Sequence, residues 1–174
     1  MIIFRQVLAS LALCLLLSGC VLESQAPLFG DTQGVLALNA MGTEFTMESF
    51  ADGKWKVEEG KAVFTPDGRH YLVTTPEGKE PIEVLLVPLE GNRFVGQARE
   101  SSEKPFLYLI ADVGQDEVLL SLLSCDELKA LGTFAGDIGF SGGDCTFAGA
   151  PDLALFQKLA KAIAPAKSRI RPAP

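Results

Sequence analysis

Between Thr43 and Leu123 the chain is cut into short β-prone runs by gaps of three to seven residues, most of them carrying turn residues, and this spacing constrains the fold more than any other feature. The runs are Glu44 to Phe50, Trp55 to Glu58, Ala62 to Thr65, Tyr71 to Thr75, Ile82 to Pro88, Arg93 to Ala98, Phe106 to Val113 and Glu117 to Leu123. Between them stand Asp52-Gly53, Glu59-Gly60, Pro66-Asp67-Gly68, Pro76-Glu77-Gly78, Glu90-Gly91 and Val113-Gly114-Gln115-Asp116. Connections this brief cannot hold crossover helices, so neighbouring strands are expected to be antiparallel and the whole to be a meander. Trp55 and Val57 alternate with Lys54, Lys56 and Glu58, which predicts a core face carrying the tryptophan and a wet face carrying the charges. Ile82 to Val87, Phe106 to Ala111 and Val118 to Leu123 are apolar on both faces, so a sheet that curls on itself needs a further cover outside.

The cover is available downstream. Ser124-Cys125-Asp126-Glu127 has the form of a capping box, followed by Leu128, Leu131 and a stop at Gly132, which predicts one short helix. A second, amphipathic helix is expected from Pro151 to about Ile163, with Leu153, Phe156, Leu159, Ala160 and Ile163 as its apolar stripe. The fold class is therefore mainly β (α+β): an antiparallel meander of about 7–9 strands curling into a small barrel or sandwich, with these two helices. Thr133 to Asp144 is glycine-rich and reads as a mobile loop leading to a brief strand, Cys145-Thr146-Phe147. Residues 165–174 (basic and rich in proline) read as a disordered tail, and residues 20–42 as a tether with at most one short strand. That leaves 43–164 as a single domain, the number that 174 residues with 48% apolar content support.

Residues 1–19 have the three parts of an export signal: Arg5, an apolar run of 11 residues from Val7 to Leu17, then small residues. The run is too short for a spanning helix, which needs about 20 residues. It ends Leu17-Ser18-Gly19-Cys20, which resembles the lipobox of bacterial lipoproteins. The resemblance implies cleavage before Cys20 and a diacylglycerol thioether on its sulfur, with the new amine also acylated (by palmitate, for example) in many bacteria. Val21 rather than Asp follows the cysteine, which by the same resemblance favours the outer membrane, facing the periplasm. The strand-rich body followed by Asp144-Cys145-x-Phe147 and a leucine-bearing helix is also similar to uncharacterised proteobacterial envelope lipoproteins, a likeness that brings no activity with it.

Once Cys14 leaves with the signal and Cys20 carries lipid, Cys125 and Cys145 remain as an even pair in an oxidising compartment, and a disulfide is expected. The alternatives are a two-thiol metal site or a reactive thiol, but neither cysteine has a nearby His or a second Cys at ligand spacing.

Charge narrows the partners. The net charge is −7, and residues 20 to 152 carry nine basic against 22 acidic side chains, which argues against nucleic acid. Beyond Leu153 there are five basic residues and no acid: Lys158, Lys161, Lys167, Arg169 and Arg171. They are a candidate contact for anionic headgroups or another envelope polyanion, against the plainer reading of a solubilising terminus.

No catalytic constellation stands out. His70 is the only histidine and sits beside Arg69 at a strand start, with no partner that would make it a poised base. Glu58 and Glu59 are adjacent in a strand and point opposite ways, while Asp126 and Glu127 are accounted for by helix capping. Gly139 to Asp144 (GFSGGD) lacks the spacing of a phosphate loop, and Asp137 and Asp144 lack the spacing of a calcium loop. No metal or cofactor is expected. The leading expectation is a lipid-anchored, noncatalytic binding domain for an apolar small molecule or an envelope protein. A structural or hydrolase-inhibiting lipoprotein is the alternative. An enzyme comes last, and would need a buried acid of shifted pKa at the barrel mouth.

Overall fold

The computed structural model describes residues 21–174 apart from 77, 79, 135 and 142, so the export signal and Cys20 lie outside the described residues. A short strand, Leu22–Ser24 (β1), precedes the meander Glu44–Ala51 (β2), Lys54–Asp67 (β3), His70–Thr74 (β4), Ile82–Pro88 (β5), Arg93–Arg99 (β6), Phe106–Val113 (β7) and Val118–Leu122 (β8). There follow a helix at Cys125–Leu131 (α1), a hairpin of Ile138–Ser141 (β9) and Asp144–Phe147 (β10), a helix at Leu153–Ala162 (α2) and a last strand at Ser168–Pro172 (β11). Each strand from β2 to β8 pairs antiparallel with the next. The last strand enters between β2 and β8 and closes an eight-stranded antiparallel barrel. β1 takes over the edge of β7 near Phe106 and carries β10 and β9 outward as an extension.

Eight runs become seven meander strands because Trp55 to Glu58 and Ala62 to Thr65 are parts of one 14-residue strand. Glu59-Gly60 is a bulge and not a turn: the register against β2 shifts between Thr46 and Glu48. Only glycine suits position 60, whose φ is +90° and where a Cβ would fall 2.2 Å from the Pro76 ring. Asp52-Gly53 is the predicted hairpin turn, with both residues at positive φ.

Alternation divides the apolar residues between two cores. Phe45, Ala62, Phe64, Tyr71, Val73, Leu86, Ala111, Val118 and Ile170 fill the barrel interior. Their aromatic rings meet edge to face, Phe45 to Phe64 at 5.0 Å and Phe64 to Tyr71 at 5.9 Å. Gly96 faces inward because Leu109 occupies its place; a Cβ there would lie 2.7 Å from the leucine side chain. The outward residues Leu85, Val87, Val95, Tyr108 and Ile110 are covered by Leu155, Phe156 and Leu159 of α2, as the strands with two apolar faces required. Asp152 caps this helix by accepting the Leu155 N–H at 2.8 Å. In α1 the expected capping box does not form: the Ser124 side chain makes no cap bond, and the Glu127 carboxylate instead accepts the Ala164 N–H. The helix stops at Gly132 in the left-handed conformation, as expected.

Three segments differ from their sequence reading. Residues 21–42 are not a tether: Leu22, Phe29 and Leu38 are buried, and Leu38 plugs one barrel mouth with its N–H donating to the Tyr71 hydroxyl at 2.9 Å. Single anchors inserted between polar residues leave no periodicity to read. The tail is not disordered, because Ser168–Pro172 is β11, with Ile170 buried in the barrel, arginines neutralised by acids on its neighbours and Pro172 at the strand end where its missing donor is tolerated. The glycine-rich stretch holds β9, with Phe134 and Ile138 buried beneath it.

Cys125 and Cys145 form a disulfide with their Cα atoms 5.5 Å apart, tying α1 to β10. Its loop spans a sequence separation of 20 residues. Replacing both cysteines by alanine should lower stability by about 3 kcal/mol. Urea unfolding followed by circular dichroism reads this directly, and an unchanged midpoint would count against a constraining crosslink.

Candidate functional site

Across β5 and β6 the outer wall of the barrel is crossed by residues 27 to 31, and a groove of about 430 Å³ opens beside this strap. Gln97 positions it. This buried amide (6% exposed) accepts the N–H groups of Leu28 and Phe29 at 2.8 and 3.0 Å and donates to the Phe29 carbonyl at 3.1 Å. The side chain thus pairs with the strap much as a neighbouring strand would, and the Phe29 ring packs 5.4 Å from Phe156 of α2.

Arg99 lines the groove two residues further on. Its guanidinium lies 4.6 Å from the centre of the Phe106 ring and donates to Glu83 at 2.7 Å, while its buried Nε has no hydrogen-bond partner. An unpaired buried donor is costly, and with no surface of its own in the groove it meets an acceptor there only if the Arg99 side chain moves. His70 also lines the groove, 3.4 Å from Asp67. Among the described residues that line it there is no serine, threonine or cysteine for that imidazole to activate. The chemistry on offer is recognition by one guanidinium, one imidazole, one amide, the two carboxylates of Asp31 and Glu83 and two aromatic rings.

The opposite wall is organised by β11. Arg169 donates to Glu48 through Nε and Nη2 at 3.0 and 2.7 Å and to Glu117 through Nη1 at 3.1 Å. Glu48 is only 8% exposed and also lies 4.0 Å from Arg171. The Arg169 guanidinium lies 4.3 Å from the centre of the Trp55 ring, and Trp55 meets the Phe50 ring at 5.2 Å. Register places Val57 opposite Glu48 and Trp55 opposite Phe50, so all four share the outer face. Trp55 and Val57 therefore do not face the core, contrary to the sequence reading. Alternation shows which residues share a face, and the interior belongs to the other one, through Ala62 and Phe64. Here β3 overshoots the barrel, leaving Phe50 44% and Val57 68% exposed.

The remaining candidates scatter. Lys158 and Lys167 are exposed, Lys161 stands 3.6 Å from Glu90, and Arg169 and Arg171 turn to Glu48, so the five basic residues do not form one patch. Glu59 is exposed on β3 with Glu58 beside it, and Asp126 and Glu127 occupy the first turn of α1. Among the described residues no group of His, Cys, Asp and Glu, with Asp137 and Asp144 included, is arranged to hold a metal ion. The one described carboxyl held above its usual range is Glu23, through partial burial and then the nearby Asp144 charge. It lies on β1 and not at a barrel mouth. Gln97 and Arg99 are not among the candidates read from the sequence; the available signal is two long polar side chains toward the end of the run from Arg93 to Arg99.

No helix among the described residues is long and apolar enough to cross a membrane. These features define a closed antiparallel barrel packed with side chains, whose accessible polar chemistry lies on its outer walls. No protein family, curated protein or solved structure matches the chain.

Proposed function

We propose that this is a lipid-anchored cell-envelope protein whose barrel is a noncatalytic binding domain acting through its outer wall. The observation that carries the binding reading is the groove beside the 27 to 31 strap, lined by Gln97, Phe106 and the Arg99 guanidinium. A barrel of about eight strands has room for its own side chains or for one small ligand. Here Phe45, Phe64 and Tyr71 take that room and Leu38 plugs one end, so a segment of an envelope protein suits the domain better than an apolar molecule held inside. The anchor reading rests on Leu17-Ser18-Gly19-Cys20, and the disulfide suits an oxidising compartment.

Two measurements test the two halves. Metabolically supplied palmitate should label the wild-type protein and not Cys20→Ser; equal absence of label from both removes the anchor. A photocrosslinker at Asp31, on the groove rim, should give one discrete adduct in cells that Arg99→Ala weakens; a bare wild-type groove removes the binding reading. A second reading, a structural or hydrolase-inhibiting lipoprotein, is favoured by β9, which among the described residues has a strand neighbour on one side only. Pure domain that inhibits no cell-wall hydrolase eliminates it.

A further inference from the structure

Val21 bridges to Ser124, the Leu22 N–H donates to the Leu123 carbonyl at 2.7 Å, and Leu22 is fully buried. The folded body therefore begins at the residue after Cys20, on the segment that follows β8. One residue of extended chain spans about 3.5 Å, which cannot lift a folded domain clear of the headgroups. If Cys20 carries lipid, the domain rests against the bilayer, and the site where Val21 is held decides which surface does so.

That site is fixed by strand direction. β2 and β8 both pair antiparallel with β11, so they run the same way and finish at the same end of the barrel. The Asp52-Gly53 turn that follows β2 and the Ser124 seat of Val21 that follows β8 share this end. Among the described residues the exposed large apolar side chains are Phe50, Val57 and Leu131: the first two flank this turn, and the third ends the helix that begins beside Val21. Around the turn Lys54, Lys56 and Lys167 are offset by Asp52, Glu58 and Glu59, and Lys56 pairs with Asp52 at 2.8 Å. The local charge is balanced, which suits zwitterionic headgroups, with aromatic and aliphatic side chains supplying the attraction.

We propose that the β2–β3 tip, with Phe50 and Val57, sits in the headgroup layer of the leaflet that holds the Cys20 lipid. In the eight-strand circuit β5 and β6 stand across the barrel from β11 and β2, and because β6 runs with β2 and β8, Arg99 at its end and Phe106 at the start of β7 lie at this same end, on the wall opposite the tip. The inference rests on the lipid-anchor reading, and its test separates the two.

Trp55 is the only tryptophan in the chain and touches Phe50, so its fluorescence reports the position of the tip. Full-length protein, its acyl groups verified by mass, is reconstituted into phosphatidylcholine vesicles containing lipids brominated at graded depths. Shallow bromines should quench Trp55 about twofold, and deep ones little, because the tip lies at the interface. Cys20→Ser protein mixed with the same vesicles should be quenched far less. A flexible insert of about 20 Gly and Ser residues between Cys20 and Val21 should reduce quenching while leaving the acyl mass intact. Phe50→Ser with Val57→Ser, both exposed and tolerable to the fold, should do the same. Acylated wild-type protein with Trp55 unquenched at every depth overturns the orientation and leaves the anchor standing. The same result with a concentration-dependent dimer assigns the face to a second copy and equally overturns it. Wild-type protein without acyl mass overturns the anchor and the orientation together.

Discussion

A chain ending at Lys167 should fail to form the barrel. Removing Ser168 to Pro172 takes out the strand that pairs with β2 over five residues and with β8 over three. It leaves two facing edges unpaired, empties the place of buried Ile170 and strips Glu48 of both arginines. A folded domain of this size is stable by only about 5–15 kcal/mol, and the combined losses exceed that margin. The expected result is loss of the near-ultraviolet signal of Tyr71 and Tyr108, loss of a cooperative urea transition and a tendency to aggregate through the open edges. A truncated protein with the wild-type midpoint would mean that the meander closes without its last strand.

That a strand essential to closure reads as a disordered tail shows where sequence patterning stops. The turns at Asp52-Gly53 and Glu90-Gly91, the strands with two apolar faces, α2 and the cysteine pair are local signals, and each is found in the structure, while of Pro66-Asp67-Gly68 only Gly68 is in the turn and the other two residues end β3. In β11 the only core residue is Ile170, with arginines on either side, and the acids that neutralise them lie far off in sequence at Glu48 and Glu117. Residues 21–42 likewise depend on remote partners: Phe29 is held by Gln97 and Leu38 by Tyr71. The groove exists only because that strap crosses β5 and β6, so its Arg99 could not be recognised from its own neighbours in sequence. His70 does reach the groove, yet its only ionic partner there is Asp67. Alternation alone gives the wrong face for Trp55 for a related reason: period-two alternation is local, whereas which side is inside depends on how the whole barrel closes.

Arg169→Ala should destabilise the domain by about 4 kcal/mol, more than loss of the disulfide, because a nearly buried carboxylate would lose its closest cation. Glu48 is the group left behind, with Arg171 at 4.0 Å as its remaining nearby positive charge. The substitution also removes the guanidinium from the Trp55 ring, a contact of about 1 kcal/mol, and the bond to the more exposed Glu117. Arg169→Lys should recover only part of the loss, since one ammonium cannot reproduce the two bonds to Glu48 and the stacking together. The informative control is Glu48→Gln with Arg169→Ala: removing the buried charge along with its partner should restore about half of the stability lost by Arg169→Ala alone. Urea midpoints of the four proteins complete the cycle. If the double variant is as unstable as the sum of the two single ones, Glu48 and Arg169 act independently, and β11 is held by its backbone ladder and Ile170 alone.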